Sequence, residues 1–287
     1  MFYLLGVTVL WAFSFSLIGV YLAGQVDPWF SVLMRISLAT LVFLPFLRIR
    51  QVQTETAIKL MLIGAVQLGL MYVFYYQSFL FLSVPEVLLF TVMTPIYVTL
   101  INDACERKFH GNFMITAVIA TAGAIAIRYN SIDADFMLGF MLVQAANLCF
   151  ASGQVAYKRL MDKRAIKQQT VFAWFFIGAL LVAAVCYLIF GNSEKLPGTE
   201  LQWAVLIYLG TIASGLGYFA WNKGATQVNV GALAVMNNLL IPAGIVVNLL
   251  IWNHDADIQR LAMGGTLILL SLLLNQWLDK RRKLQRA

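Results

Sequence analysis

Long apolar stretches, each about the length of a membrane-spanning helix, divide the whole sequence and constrain its fold more than any other feature. A transmembrane helix needs roughly 20 apolar residues, and ten such stretches use up the chain. With 61% hydrophobic and only 11% charged residues, the chain has too few charges to cover a soluble domain. We therefore predict an all-α integral membrane protein with ten transmembrane helices. Their predicted ranges are 2–23, 28–47, 58–80, 84–101, 112–129, 136–157, 169–190, 201–221, 229–252 and 260–278.

The basic residues orient these helices in the membrane. Sixteen of the twenty Lys and Arg residues fall on one side, in alternate connections and in the C-terminal tail, whereas only Arg128, Lys195 and Arg260 fall on the other. Because cytoplasmic loops are enriched in Lys and Arg, we predict cytoplasmic N and C termini. Basic residues confined to connections between apolar runs also argue against a nucleic-acid partner, despite the net charge of +7.

The two halves of the sequence resemble each other. Residues 64–72 match residues 210–218 at an offset of 146, and Pro95 falls one residue out of register with Pro242. We predict five-helix repeats at 1–131 and 132–287. Since five is an odd number, the second repeat must be inserted upside down relative to the first. Inverted repeats are typical of alternating-access transporters, whose sites lie near the midplane between the repeats.

Several motifs resemble those of the EamA-type members of the drug/metabolite transporter superfamily. They are Leu10-Trp11-Ala12-Phe13-Ser14-Phe15, Met34-Arg35-Ile36, Thr94-Pro95-Ile96, and Ser214-Gly215-Leu216-Gly217-Tyr218 leading to Gly224-Ala225-Thr226. Four more are similar to the carboxylate, amino acid and amine transporter group, and within it to the proteobacterial biotin importers. These are Pro85-Glu86-Val87-Leu88-Leu89-Phe90-Thr91, Tyr157-Lys158-Arg159-Leu160-Met161, Phe172-Ala173-Trp174-Phe175 and Met236-Asn237-Asn238.

The resemblance implies ten helices in two inverted five-helix repeats around a central cavity. It further implies uptake of a small carboxylate with a neutral polar head, such as biotin. Export of amino acids or related metabolites is the alternative.

Features of other functional classes are missing from the sequence. His110 and His254 lie in predicted connections, and no HExxH or GxSxG motif occurs, so we expect no enzyme activity. Without a GxxxxGK nucleotide-binding loop, transport should be secondary. The widely separated Cys105, Cys149 and Cys186 suggest neither disulfides nor a metal site. We expect no cofactor. The sequence leaves open whether the protein forms a homodimer.

Polar side chains converge on the predicted midplane when depth is counted at about 1.5 Å per residue. An amide in lipid is unfavourable without a partner, so these side chains should face inward. Each either binds substrate or bonds a neighbouring helix. Both alternatives stay open for Asn147 and Asn237, whose carboxamides suit a ureido ring. The candidate substrate-binding residues are Trp11, Ser14, Gln67, Tyr72, Tyr75, Glu86, Phe90, Thr94, Asn147, Trp221 and Asn237.

Three charged residues are further candidates. Arg35 lies inside a predicted helix, in its outer half, and either clamps the substrate carboxylate or pairs with Glu86 and backbone carbonyls. Glu86 is the only acidic residue within a predicted span, and we expect its partly dry setting to let it exchange protons for energy coupling. Lys158, near the predicted cytoplasmic end of its helix, either attracts the carboxylate or anchors the topology.

Overall fold

The computed structural model describes most of the chain, and that part is all-helical. The described residues are 2–107, 133–162, 164, 166–228 and 230–252, together with residues 259, 266, 270, 273 and 277. No β-strand occurs among them. The predicted helix 112–129 lies outside the described residues, and of the predicted helix 260–278 only four separate helical positions are described.

Eight long helices follow one another in the described residues. They are α1 Phe2–Tyr21, α2 Pro28–Phe46, α3 Thr54–Ser78, α4 Val84–Cys105, α5 Ala134–Asp162, α6 Phe172–Phe190, α7 Glu200–Thr226 and α8 Val230–Ile251. The first seven are long and apolar enough to cross a membrane. The prediction of an all-α, multi-pass membrane protein is therefore confirmed. The boundaries differ in places, most clearly for α5, which continues beyond its predicted end at 157 to Asp162.

Three of these helices change their hydrogen-bonding pattern midway. α3 contains a π-helical segment at Ala65–Leu70 and α7 contains another at Leu209–Leu216. α4 narrows to a 3₁₀ turn at Thr91–Met93, immediately before Thr94 and Pro95. In α4 the interruption precedes Pro95, which has no N–H to donate to the preceding turn. The π segments of α3 and α7 are of a kind that is frequent at functional sites. In two of the three interruptions a backbone carbonyl accepts from a side chain of another helix, the Ala213 carbonyl from Trp11 in α7 and the Phe90 carbonyl from Asn147 in α4.

Close backbone contact holds α3 against α6. A Cβ added to Gly64 would lie 1.8 Å from the Phe175 carbonyl oxygen, and a Cβ added to Gly178 would lie 1.9 Å from the Met61 carbonyl oxygen. Small residues allow this kind of approach between membrane helices, where dispersion contacts replace the hydrophobic effect as the main attraction. The contact therefore fixes the position of α3 against α6.

Candidate functional site

A cavity of about 90 Å³ lies inside the bundle, between side chains of α1, α2, α3, α4, α5, α7 and α8. Its lining is mostly apolar with a few polar groups, which is the usual composition of a small-molecule site. Eight predicted site residues line it, namely Trp11, Ser14, Arg35, Tyr72, Tyr75, Thr94, Asn147 and Asn237. Lining residues outside our predicted set are Phe15, Ile18, Met71, Thr91, Ala146, Phe150, Tyr218 and Leu240.

Arg35 is the charged group of this cavity, and only 2% of it is exposed. Its Nε donates to Ser214 Oγ at 3.0 Å, its Nη1 to Tyr76 OH at 2.9 Å and its Nη2 to Tyr72 OH at 2.7 Å. Among the described residues, no carboxylate lies within ion-pair distance of the guanidinium. The predicted pairing with Glu86 is therefore wrong, and Arg35 connects α2 to α3 and α7 instead.

The π segment of α7 brings Ser214 to the guanidinium. A Cβ on Gly210 would lie 2.7 Å from Leu38 Cδ1 and 3.2 Å from Arg35 Cα, so this segment packs tightly on α2. Ser214 Oγ also lies 2.9 Å from Tyr72 OH. Our predicted site omitted both Ser214 and Tyr76. The helical spacing from Tyr72 to Tyr76 was a signal in the sequence, because residues four apart share a helix face.

Asn147 uses both of its N–H donors and one of its two acceptor positions on protein groups. Its Nδ2 donates to the Phe90 carbonyl oxygen at 2.9 Å and to Gln144 Oε1 at 3.2 Å. Its Oδ1 accepts from Thr94 Oγ1 at 3.2 Å. The Phe90 carbonyl lies next to the 3₁₀ turn of α4, where Thr94 donates its N–H to Thr91 three residues back. Asn147 thus bridges the interruption in α4, and this geometry supports the packing alternative for it.

Asn237 keeps one atom available. Its Nδ2 donates to the Leu233 carbonyl oxygen at 3.1 Å and to Gln154 Oε1 at 3.4 Å. Its Oδ1 accepts no hydrogen bond from the described residues, and Asn237 lines the cavity. The two predicted carboxamides therefore differ, and the geometry supports Asn237 as the one that can accept from a ligand.

Aromatic rings form one wall of the cavity. Trp11 donates from Nε1 to the Ala213 carbonyl oxygen at 2.9 Å, within the π segment of α7. Its ring lies 5.0 Å from the ring of Tyr218 and 5.0 Å from that of Trp221. Trp221 is fully buried behind Trp11 and does not line the cavity, contrary to prediction. Its role is to support the Trp11 ring.

Three other predicted residues also lie outside the cavity lining. Gln67 is fully buried and donates to Asn222. The Phe90 ring packs against Phe136 and Phe140, so only its carbonyl faces Asn147. Lys158 pairs with Asp162 at 3.2 Å and lines a separate cavity of about 220 Å³. For Phe90 the physical reason is rotation about the helix axis, which depth counting does not give. Gln67 and Lys158 instead lie beyond the cavity residues Met71 and Phe150 along their helices.

Glu86 is also outside the cavity lining and has a structural task at the start of α4. Its Oε2 accepts from the backbone N–H and from the hydroxyl of Ser83, both at 2.8 Å. This arrangement is a capping box, in which the first and fourth residues of a helix end satisfy each other's free groups. The predicted interpretation of Glu86 did not include this role, although the Ser83-to-Glu86 spacing was visible in the sequence.

An apolar helical bundle that crosses a membrane several times and encloses a cavity with a buried cation has the architecture of a membrane transporter. The chain belongs to the EamA-like transporter family, whose model matches residues 1–129 and 137–277. It is therefore a transporter and not an enzyme.

Curated relatives are similar over nearly the whole length. The chain is 54% identical to a Pseudomonas aeruginosa protein named "Probable biotin transporter", over 96% of each chain. It is 50% identical to the Salmonella typhimurium "Biotin transporter" and 49% identical to the Escherichia coli K12 "Biotin transporter", covering 96% of this chain and 92% of each relative. A solved crystal structure at 17% identity superposes with a TM-score of 0.69 over 94% of both chains, which supports the fold.

Proposed function

We propose that this chain carries biotin across the bacterial inner membrane by alternating access. The observation that supports this most is Arg35, a buried guanidinium that faces a cavity and has no carboxylate partner among the described residues. Burying an unpaired charge costs several kcal/mol. Relatives at about half identity that are named biotin transporters support a carboxylate ligand of this kind.

The hydrogen-bond count at Arg35 fits a carboxylate. A guanidinium has five N–H donors, and three of them go to Ser214, Tyr72 and Tyr76. One donor on each Nη is then left for a ligand. Two such donors match the two oxygens of the biotin carboxylate in a bidentate pair. The hydroxyls of Ser214, Tyr72 and Tyr76 fix the plane of the guanidinium but carry no negative charge. The ligand carboxylate therefore supplies the negative charge.

The rest of biotin fits the remaining lining. Trp11, Phe15 and Tyr75 offer apolar surface to the alkyl chain and the sulfur-containing ring. The ureido N–H groups need acceptors, and Asn237 Oδ1 is the amide oxygen in the lining that accepts nothing from the described residues. The substrate therefore places its carboxylate at Arg35 and its ureido ring at Asn237.

Replacing Asn237 and Asn147 by Ala is expected to give different results. Asn237→Ala should weaken biotin binding by about 1–3 kcal/mol, because a ligand hydrogen bond is lost. Asn147→Ala should instead lower protein stability by a similar amount, about 1–3 kcal/mol, because the Phe90 carbonyl loses its shorter hydrogen bond and the Thr94 hydroxyl loses its acceptor. Binding of labelled biotin and thermal melting of the purified variants measure both. Equal loss of affinity in the two variants would contradict the assignment.

We further propose the ten-helix, inverted-repeat architecture, with repeats at 1–131 and 132–287 and both termini in the cytoplasm. Two observations support it. The π segments at Ala65–Leu70 and Leu209–Leu216 fall on the two sequence stretches that match at an offset of 146. The family model also matches one stretch in each half. Because the helices of one chain enclose the cavity, the homodimer that the sequence leaves open is not needed to form the site.

For energy coupling we propose that Glu86 carries a proton inward with the carboxylate. Moving an anion into a cell whose interior is negative costs about 2.3 kcal/mol of electrical work per charge for each 100 mV of membrane potential. In Glu86→Gln the amide can still accept from Ser83, since Gln also completes a capping box. We expect this variant to keep binding and exchange but to lose accumulation driven by a pH gradient. Full accumulation by the variant in vesicles would refute Glu86 as the proton carrier.

Competition binding to the purified protein tests the substrate. Labelled biotin should be displaced by unlabelled biotin, only weakly by biotinamide, which lacks the carboxylate, and not by amino acids. Displacement by an amino acid but not by biotin would favour the export alternative.

A further inference from the structure

Four carboxamide side chains from four helices meet next to the cavity. Gln67 of α3 donates from Nε2 to Asn222 Oδ1 of α7 at 3.0 Å. Asn237 of α8 donates from Nδ2 to Gln154 Oε1 of α5 at 3.4 Å. The two pairs adjoin, because a Cβ on Gly153, the neighbour of Gln154, would lie 2.1 Å from Gln67 Cβ. We call Gln67, Gln154, Asn222 and Asn237 the inner carboxamide cluster.

This cluster lies beyond one end of the cavity. Gln154 and Asn222 come four residues after the lining residues Phe150 and Tyr218, respectively. Gln67 comes four residues before the lining residue Met71. Four residues advance about 6 Å along a helix. The direction is the same in all three helices, toward the end of the bundle that the basic residues assign to the cytoplasm. Asn237 belongs to both the cavity lining and the cluster, and so connects them.

Two atoms of the cluster lack partners. Gln67 Oε1 and Gln154 Nε2 are buried and form no hydrogen bond within the described part of the chain, and both side chains are 0% exposed. A buried polar atom without a partner is unfavourable, and such atoms are rare in native structures. One of these atoms is an acceptor and the other a donor. Together they complement a neutral amide or urea, which offers an N–H and a C=O.

We propose that the inner carboxamide cluster is a second binding site on the transport path, which takes the neutral urea-like head of the substrate between the cavity and the cytoplasm. The inference rests on the proposed function. Gln154 and Asn222 thereby join the substrate-contacting residues. The long hydrogen bond from Asn237 to Gln154 closes the path in this structure, and the head group replaces it as the substrate moves through.

The experiment separates binding in the cavity from passage through the cluster. Gln154→Met and Gln67→Met keep side-chain length but remove the amide. We expect each purified variant to lose less equilibrium affinity for labelled biotin than Asn237→Ala, since Arg35 and Asn237 Oδ1 both remain. The rate of biotin exchange across the proteoliposome membrane should fall about fivefold or more. A change of this size corresponds to the loss of about one hydrogen bond to the substrate.

Asn248→Leu is the matched control. Asn248 is also a buried carboxamide, which donates to Ser16 Oγ at 3.1 Å and whose Oδ1 has no hydrogen-bond partner among the described residues. It lies on α8 eleven residues beyond Asn237, away from the cluster. Its replacement should lower stability without slowing exchange per folded molecule.

Several outcomes overturn the inference. They are wild-type exchange rates in both Met variants, an equal slowing in Asn248→Leu, or failure of both Met variants to fold, which would assign the cluster to helix packing. If the wild type itself bound no biotin, the proposed function would fail, and that result is distinct from normal exchange by the variants.

Discussion

Arg35→Lys is expected to reduce biotin transport by about 100-fold, or roughly 3 kcal/mol. Lysine keeps the positive charge but cannot form the bidentate pair with a carboxylate. It also cannot hold Ser214, Tyr72 and Tyr76 at once in the geometry of the guanidinium. Initial rates of labelled biotin uptake, normalised to folded protein in the membrane, measure the effect.

Two controls accompany the Arg35 experiment. Arg48→Lys, at an exposed position after α2, should transport like wild type. Biotinamide should bind Arg35→Lys and wild type with the same low affinity, since it has no carboxylate to clamp. Uptake by Arg35→Lys within twofold of wild type would contradict the clamp. Failure of this variant to accumulate in the membrane would assign Arg35 to helix packing.

Gly64→Ala should give the largest loss of stability, at least about 3 kcal/mol. The added Cβ would lie 1.8 Å from the Phe175 carbonyl oxygen and 2.6 Å from its carbonyl carbon. These are backbone atoms of α6, so no side chain can move aside. The usual gain from placing Ala in a helix, about 1 kcal/mol, is too small to offset the overlap. Thermal unfolding of purified protein in detergent measures the change.

Gly6→Ala is the matched control for this prediction. Gly6 also lies inside a long apolar helix, but a Cβ there would meet no atom within 4 Å. The substitution should be neutral or stabilising by up to about 1 kcal/mol. Equal melting temperatures for Gly64→Ala and wild type would show that α3 and α6 do not meet as closely as described.

The sequence predicted the helices well because a membrane span leaves a long apolar run in any sequence. It also predicted polar residues near the midplane, and four of them line the cavity, namely Ser14, Thr94, Asn147 and Asn237. Depth along a helix follows from counting residues, whereas the direction of a side chain depends on helix rotation and tilt. Phe90 shows the difference, since it precedes the lining residue Thr91 but its ring packs against Phe136 and Phe140 and points away from the cavity. Gln67 misses the cavity by depth instead, because it lies four residues before the lining residue Met71.

The partners of Arg35 were harder to predict for a related reason. The π segment of α7 changes the rotation of Ser214 relative to a regular helix, and no turn or proline signal in the sequence marks such a segment. The hydrogen-bond partners of Asn147 were hard to predict for a similar reason. Asn147 bonds the Phe90 carbonyl beside the 3₁₀ turn of α4, and this pairing depends on how the two helices pack against each other.

Counterflow of biotin in proteoliposomes tests the central claim most directly. Liposomes containing only this protein are loaded with unlabelled biotin and diluted into a trace of labelled biotin. We predict transient accumulation of label that excess external biotin abolishes and that Arg35→Lys loses. Label entry no greater than in protein-free liposomes, with the protein folded in the bilayer, would contradict the account.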